Sequence, residues 1–198
     1  MRITGGHAKG RILSSFKGLN IRPTSDHVRE SIFSILGQDF TGKRVMDLFA
    51  GTGVLGLEAI SRGANSAVFV EISSRAIALI RKNIQMCGFT DRATVLKKDL
   101  RKALPSLDSM GGLPFHVVFV DPPYRQGLVP QSLARLVQKR VLADNAIVLA
   151  ETHKTEELVR EVSGLLLVDC RTYGDTKINF YEWRRSNDKM PSHISGDI

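Results

Sequence analysis

The sequence has few cysteines and no long apolar run. Cys87 and Cys170 are the only cysteines among 198 residues, and neither forms a CxxC pair or a metal-ligand spacing with the five histidines. No run of about 18 apolar residues is present, and the first residues, MRITGGHAKGR, lack the apolar stretch of a signal peptide. These absences argue against disulfides, a metal site and a membrane span, and we expect the protein in the reducing cytoplasm.

The composition is that of a globular protein with a surplus of basic residues. Hydrophobic residues make up 42% of the chain and charged residues 24%, and a chain of this length suits a single core. The 28 lysines and arginines outnumber the 20 acidic residues, which gives a formal net charge of +8. Such a surplus is typical of proteins that bind polyanions. Anionic metabolites, membrane surfaces and ordinary basic enzymes fit the same charge, so it does not decide the function.

The first 22 residues are expected to form a basic arm. The segment is polar and contains Gly5-Gly6 between RIT and GRILSSF, which predicts a short hairpin or an extended flap. After Pro23, cap-type residues followed by apolar residues at helical spacing predict an amphipathic helix that ends at Gly37. The arm contains no acidic residue, and we expect its cations to contact nucleic acid phosphates. These cations are Arg2, Lys9, Arg11, Lys17 and Arg22.

From residue 44 onward, strand and helix patterns alternate. The segments RVMDLFA, AVFVE, ATVLKKD and HVVFVD are apolar and β-branched, which predicts a mostly parallel sheet with helices on both faces. Further helices are expected near 128–141 and 155–162, and a strand at AIVLAE. The last strands, LLLVDCRTY and KINFYEWR, flank a short turn, so the sheet is expected to end with an antiparallel strand. This main domain would span 23–185, followed by a loose tail over 186–198.

A glycine-rich segment, DLFAGTGVLG, connects the first predicted strand to its helix. Glycines at such a turn allow a tight bend and let a ligand approach the backbone. Glu71 ends the next strand, 20 residues after Gly51, where a carboxylate can accept hydrogen bonds from ribose hydroxyls. The same pattern fits a dinucleotide site, so an NAD-dependent oxidoreductase is an alternative. A glycine turn that serves only close packing, without a ligand, is a second alternative.

The acidic residues near this loop favour S-adenosylmethionine over a dinucleotide. Asp47 lies beside the loop, where a carboxylate would repel a pyrophosphate but can hold an ammonium group. Asp99 ends the following strand, at the sheet edge where ligands bind, and offers an acceptor for an adenine amine. S-adenosylmethionine carries both the ammonium and the adenine and has no phosphate.

The strand FHVVFV ends in the motif Asp121-Pro122-Pro123-Tyr124. The exocyclic amine of a base is a poor nucleophile because its lone pair is delocalised, so a catalyst has to orient the amine hydrogens. The Asp121 carboxylate can accept one hydrogen and the Pro122 carbonyl the other, and the consecutive prolines stiffen the turn. Tyr124 offers a face for an unstacked base. No metal is expected, because the sulfonium already activates the methyl group.

Taken together, these motifs resemble the RsmD family of bacterial small-subunit rRNA guanine-N2 methyltransferases. The similarity covers residues 2 to 183 and rests on RITGGHAKGR, RPTSDHVRESIFSIL, DLFAGTGVLGLEAISRGA, DPPY and YGDTKINFYEW. It implies a Rossmann-like, class I methyltransferase fold with a seven-stranded sheet, an antiparallel last strand and a small N-terminal extension. It also implies S-adenosylmethionine as cofactor and ribosomal RNA as partner, either naked or in a partly assembled small subunit.

The resemblance also implies roles for individual residues. The target guanine would be held by Asp121, Pro122, Pro123 and Tyr124. The segment around Arg22 to Glu30 would line the cofactor site and contact the RNA. Arg29 therefore joins the cations of the arm as an RNA contact. The cofactor would be bound by Asp47, Phe49, Ala50, Gly51, Thr52, Gly53, Glu71, Ile72, Asp99 and Leu100.

Three other functions fit parts of the pattern. DNA adenine-N6 methylation uses the same amine chemistry, but such an enzyme usually needs a separate target-recognition region, for which this chain has little room. Protein-glutamine methyltransferases more usually resemble NPPY than DPPY, and a protein substrate leaves the basic arm unexplained. A non-catalytic RNA-binding module would be favoured only if a reaction residue were missing, and none is.

Overall fold

The computed structural model describes residues 1–16 and 26–184, and within them one eight-stranded sheet packs against four helices. The helices are α1 (Asp26–Leu36), α2 (Val54–Ser61), α3 (Ser74–Cys87) and α4 (Leu128–Gln138). The strands are β1 (Arg44–Leu48), β2 (Ser66–Glu71), β3 (Ala93–Lys97), β4 (Phe115–Val120), β5 (Leu142–His153), β6 (Glu161–Val162), β7 (Leu165–Tyr173) and β8 (Thr176–Trp183). Lys17, Arg22 and the tail 186–198 lie outside the described residues.

The strand order is β3-β2-β1-β4-β5-β8-β7-β6. Strands β1 to β5 pair with one another in parallel, whereas β8 is antiparallel to both β5 and β7. The order reverses between β1 and β4, and ligands of such sheets bind in the crevice at that reversal, beyond the carboxyl ends of the strands. The Rossmann-like architecture predicted from the sequence is confirmed.

Two apolar cores cover the two faces of the sheet. Because side chains alternate along a strand, Val117 and Phe119 of β4 join the core under α2 and α3, and Val118 and Val120 join the core under α4. All four side chains are buried. Burial on both faces explains why the parallel strands are continuous apolar runs in the sequence.

The segment 155–162 is not the helix that the sequence predicts. Its polar groups bind other parts of the fold: the Glu156 carboxylate accepts the N–H of His153 at 3.0 Å and of Arg125 at 3.3 Å. The carbonyl of Val159 accepts the Tyr181 hydroxyl at 2.9 Å. These contacts, of which those with Arg125 and Tyr181 are tertiary, outweigh helix propensity. The segment ends in the two-residue strand β6, which makes eight strands instead of seven.

The beginning of the chain forms a hairpin over residues 1–13 that packs on α2. Arg2 pairs with Ile12 in an antiparallel bridge, and the N–H of His7 donates to the Ser61 carbonyl at 2.8 Å. Gly6 lies so close to α2 that a Cβ atom there would overlap the Ser61 carbonyl oxygen, and its φ of 73° also favours glycine. The short hairpin predicted from the sequence is therefore present.

In the part of the chain that the structure describes, none of the helices is both long enough and apolar enough to cross a lipid bilayer.

Candidate active site

The loop between β1 and α2 has a tight, left-handed backbone. Phe49, Gly51 and Gly53 have φ angles of 59°, 55° and 76°. This conformation is unusual for a bulky residue such as Phe49, and backbone strain of this kind tends to cluster at functional sites. A Cβ atom at Gly56 would lie 2.4 Å from the Phe69 ring, so α2 can pack this closely on β2 only with glycine there. Ala50, Gly51, Thr52 and Gly53 form the turn itself.

An edge cleft with a volume of about 250 Å³ opens beside this loop. Five of its lining residues belong to the cofactor set predicted from the sequence, and one belongs to the DPPY motif. Lys98, Arg101, Gln126 and Leu128 also line the cleft and were not predicted. The edge cleft thus connects the predicted cofactor residues with the predicted reaction motif. The five predicted cofactor residues are Phe49, Glu71, Ile72, Asp99 and Leu100, and the motif residue is Pro123.

Glu71 is held in the edge cleft by three backbone N–H groups. Its Oε2 accepts the N–H of Gly51 at 3.0 Å, and its Oε1 accepts the N–H of Ile72 at 2.8 Å and of Ser73 at 2.9 Å. These bonds orient the carboxylate before any ligand arrives. A preorganised acceptor of this kind suits a pair of ribose hydroxyls, since binding then requires no rearrangement of the side chain.

Asp99 is paired with Arg101. The guanidinium of Arg101 donates to both carboxylate oxygens, at 2.9 Å and 3.0 Å, and this pairing lowers the pKa of Asp99. The carboxylate therefore stays ionised. The Arg101 side chain is 61% exposed, so the pair lies at the open side of the edge cleft. Arg101 was not predicted as the partner of Asp99, because no sequence pattern indicates such a pair.

Asp47 lies under the loop and is 2% exposed. Its Oδ2 accepts the N–H of Gly56 at 3.0 Å, which ties the end of β1 to the first turn of α2. Burial raises the pKa of Asp47 to about 8, against the opposing effect of the Gly56 bond and with a smaller contribution from Glu71. An ammonium group near Asp47 would favour the ionised form. The contact between Asp47 and the ammonium group of the cofactor remains a prediction.

Asp121 follows β4 at the same edge of the sheet, and its N–H donates to the Leu48 carbonyl of β1 at 3.4 Å. Burial, and then the nearby carboxylates of Glu151 and Asp47, hold the pKa of Asp121 well above its usual range. A carboxylate with a raised pKa is a good proton acceptor, because it holds a proton that an ordinary aspartate would release.

Tyr124 is anchored through its hydroxyl. The hydroxyl donates to Oε1 of Glu151 at 2.6 Å and lies 3.0 Å from the hydroxyl of Thr176. The ring also contacts His153 edge to face, with 6.0 Å between the ring centroids. Glu151 was not predicted as a site residue, although it lies near the end of an apolar strand, as Glu71 does. The contacts with β5 and β8 fix the plane of the ring beside the proline pair.

The predicted RNA contacts fall into different environments. Lys9 and Arg11 are exposed on the hairpin, and the Arg2 side chain is 67% exposed with an ion pair to Asp26 at 3.4 Å. Arg29, in contrast, is fully buried. Its guanidinium donates to the Arg2 carbonyl at 2.6 Å and to Asp26 at 2.8 Å. The prediction that Arg29 meets RNA directly is corrected, because the side chain binds groups inside the protein.

Comparison with known proteins places this fold among methyltransferases. A family model described as Conserved hypothetical protein 95 matches residues 1–182. A Haemophilus influenzae relative, named Ribosomal RNA small subunit methyltransferase D, is 32% identical over 92% of this chain and 93% of its own. The structure of the Escherichia coli protein yhhF has a TM-score of 0.80 and 31% identity, covering 93% of this chain and 98% of that one.

A fourth comparison shows similarity of fold alone. It is an RNA methyltransferase from Salinibacter ruber, solved in complex with S-adenosyl-L-homocysteine, which is 17% identical to this chain. The TM-score is 0.59, and the match covers 88% of this chain and 99% of that one.

Proposed function

This chain belongs to the family described as Conserved hypothetical protein 95, the RsmD family, and we propose that it methylates N2 of a guanine in 16S ribosomal RNA, using S-adenosylmethionine. The observation that carries the proposal is the edge cleft, in which Glu71 and Asp99 share one cavity with Pro123 of the DPPY motif. We place the reaction in the cytoplasm. The substrate is the RNA itself or a partly assembled small subunit.

The residues of the edge cleft fit the cofactor. Glu71 would accept the ribose hydroxyls and Asp99 the adenine amine, while Phe49, Ile72 and Leu100 supply apolar walls for the adenine ring. Bound S-adenosylmethionine supplies a methyl group already activated by the sulfonium. The protein's own task is therefore to hold the amine of the target base in line with that methyl group.

The DPPY motif supplies the groups that orient the amine. Asp121 accepts one amine hydrogen, the Pro122 carbonyl accepts the other, and the ring of Tyr124 supports the base that has left its stack. When the N–CH₃ bond forms, the S–CH₃ bond breaks and the nitrogen becomes cationic. Asp121 then takes the released proton, which its raised pKa favours.

The reaction can be tested with methyl-labelled S-adenosylmethionine. The protein is incubated separately with 16S rRNA, small ribosomal subunits and double-stranded DNA, and the labelled nucleoside is identified after digestion. We expect N2-methylguanosine from one of the ribosomal substrates. Labelled N6-methyladenine from the DNA sample would contradict the proposal and support the adenine alternative.

Replacing Glu71 by alanine should weaken the binding of S-adenosylhomocysteine by about 1.5 to 3 kcal/mol, or roughly 10- to 150-fold, because a charged acceptor for two hydroxyls is lost. Isothermal calorimetry measures the effect. Glu182→Ala is the control, since Glu182 lies on β8 and pairs with Arg184 at the surface. Tight binding of NAD, with none of S-adenosylhomocysteine, would contradict the assignment of the cofactor.

The hairpin cations should contribute to RNA affinity through phosphate neutralisation. Replacing Lys9 and Arg11 together by alanine should flatten the dependence of log K on log[salt] by up to about 1.4 units for single-stranded RNA, since each phosphate contributes about 0.7. The melting temperature should stay unchanged because both side chains are exposed. The matched control is Lys139→Ala with Arg160→Ala, two exposed cations near α4 and β6. An unchanged salt slope in the hairpin variant would remove these residues from the RNA interface.

A further inference from the structure

Helix α3 has a basic outer face and contains no acidic residue. Its sequence is SRAIALIRKNIQMC, and Arg75, Arg81 and Lys82 are exposed. Residues 1–16 also contain no acidic residue. Two segments with cations and no acids therefore meet on the same side of the sheet, because the chain after the hairpin runs along α3.

The contact between these segments is specific. The buried side chain of Asn83 accepts the N–H of Ser14 at 2.8 Å and donates to the Ser14 carbonyl at 3.1 Å. The same amide group also donates to the carbonyl of Thr52 in the β1–α2 loop at 3.0 Å. Asn83 thus joins the chain after the hairpin, α3 and the loop of the predicted cofactor site.

Between α3 and residues 14–16 lies an open groove of about 560 Å³, here called the α3 groove. Phe16, Ala78 and Leu79 provide apolar surface and Arg75 and Lys82 provide positive charge, and the described residues that line the groove include no acidic residue. The guanidinium of Arg75 lies over the Phe16 ring, 5.5 Å from its centroid. Cations that follow a backbone, beside an aromatic face on which a base can stack, are the features that bind single-stranded nucleic acid.

The position of the α3 groove relates it to the edge cleft. Helix α3 begins three residues after Glu71, and Ile72 lines the edge cleft. With 14 residues, the helix is about 20 Å long at roughly 1.5 Å per residue. Its last turn lies beside the hairpin, where Ser14 Oγ is 3.6 Å from the Met86 sulfur. An RNA strand in the α3 groove would therefore run between the edge cleft and the hairpin cations.

We propose that the α3 groove binds a single-stranded segment of the substrate RNA that flanks the target guanine. Arg75 and Lys82 neutralise its phosphates, and the ring of Phe16 stacks on one of its bases. The inference rests on the proposed function and extends it, because it assigns RNA contacts to α3, for which the sequence predicted none. An acidic protein segment would satisfy the cations but would not require the half-buried ring of Phe16.

The test replaces Arg75 and Lys82 together by alanine and measures binding to 16S rRNA and to a 12-nucleotide single-stranded RNA. We expect affinity for both to fall about 10-fold or more and the salt slope to flatten by about 1.4 units. Phe16→Leu should weaken binding about 5-fold or more with an unchanged slope, whereas Phe16→Tyr should retain affinity, because stacking requires the ring. Affinity for S-adenosylhomocysteine and the melting temperature should stay at wild-type values.

The control is again Lys139→Ala with Arg160→Ala, which removes the same charge from a different surface. If the wild-type protein methylates rRNA while the α3 variants bind it with wild-type affinity and slope, the groove proposal alone is overturned. If the wild-type protein methylates neither 16S rRNA nor small ribosomal subunits, the proposed function fails as well. Polyglutamate, an acidic peptide, is the second probe. If it binds the wild-type protein but not the Arg75/Lys82 variant, while the RNA affinity of that variant is unchanged, the groove binds a protein partner and the proposal is overturned.

Discussion

Replacing Asp121 by asparagine should lower the single-turnover rate of methylation by at least about 100-fold. Asparagine has nearly the same size, and its amide oxygen can still accept a hydrogen from the amine. It cannot take the proton that methylation releases, and it carries no charge to stabilise the cationic nitrogen. Asp121 is not among the residues that line the edge cleft, so affinity for S-adenosylhomocysteine should change by less than about two-fold, a small part of a kcal/mol.

The pH dependence of the reaction provides a second measurement on Asp121. The reactive form is the ionised carboxylate, so kcat/KM should fall as the pH is lowered through the raised pKa of Asp121, well above the usual range of an aspartate. Glu151→Gln removes a negative charge that raises this pKa, and the glutamine oxygen can still accept the Tyr124 hydroxyl. The acid limb of the profile should therefore move to lower pH in that variant.

Glu182→Gln is the control for the pH experiment, because it removes a carboxylate that is paired with Arg184 on the surface. Its profile should match the wild type. An acid limb that does not move in Glu151→Gln would show that Asp121 and Glu151 do not interact during the reaction. Wild-type single-turnover rates in Asp121→Asn would remove Asp121 from the chemistry.

The convergence of the site could be predicted from the sequence because it follows from sheet topology. Glu71, Asp99 and Asp121 each follow a strand, and the carboxyl ends of parallel strands meet at one edge of a sheet. Once the three strands are recognised by their apolar runs, the three carboxylates are predicted to lie at that edge. In the structure all three lie there, and two of them, Glu71 and Asp99, line the edge cleft.

Partners distant in sequence could not be predicted in the same way. Glu151 accepts the hydroxyl of Tyr124 although the two are 27 positions apart, and no spacing rule connects an acid near the end of one strand to a tyrosine that follows another. Arg29 was expected to contact RNA because the family resemblance implied that role for the segment around Arg22 to Glu30. Its burial depends on groups of the hairpin and of α2, whose positions are known only once the fold has formed.

Glu58 of α2 is the centre of the buried polar network that holds the hairpin. Its carboxylate accepts the N–H and hydroxyl of Thr4, at 2.9 and 2.8 Å, and the N–H of Gly5 at 2.7 Å. The guanidinium of Arg62 lies 3.0 Å away and that of Arg29 3.9 Å away. Both arginines and Glu58 are buried. The network therefore connects the hairpin, α1 and the helix that begins at the predicted cofactor loop.

Replacing Glu58 by alanine should lower the free energy of unfolding by about 3 to 5 kcal/mol. The buried Arg62 guanidinium loses its counter-charge, Arg29 keeps Asp26 but loses the charge of Glu58, and two hairpin N–H groups lose their acceptor. Denaturant unfolding measures the loss, and trypsin cleavage after Lys9 or Arg11 should become faster as the hairpin detaches. Arg29→Met should lower the free energy of unfolding by less than Glu58→Ala does, since Glu58 keeps Arg62 and the N–H groups of the hairpin. Glu30→Ala, on the exposed face of α1, should stay within about 0.5 kcal/mol. A loss below about 1 kcal/mol in Glu58→Ala would mean that apolar packing, and not this network, holds the hairpin on α2.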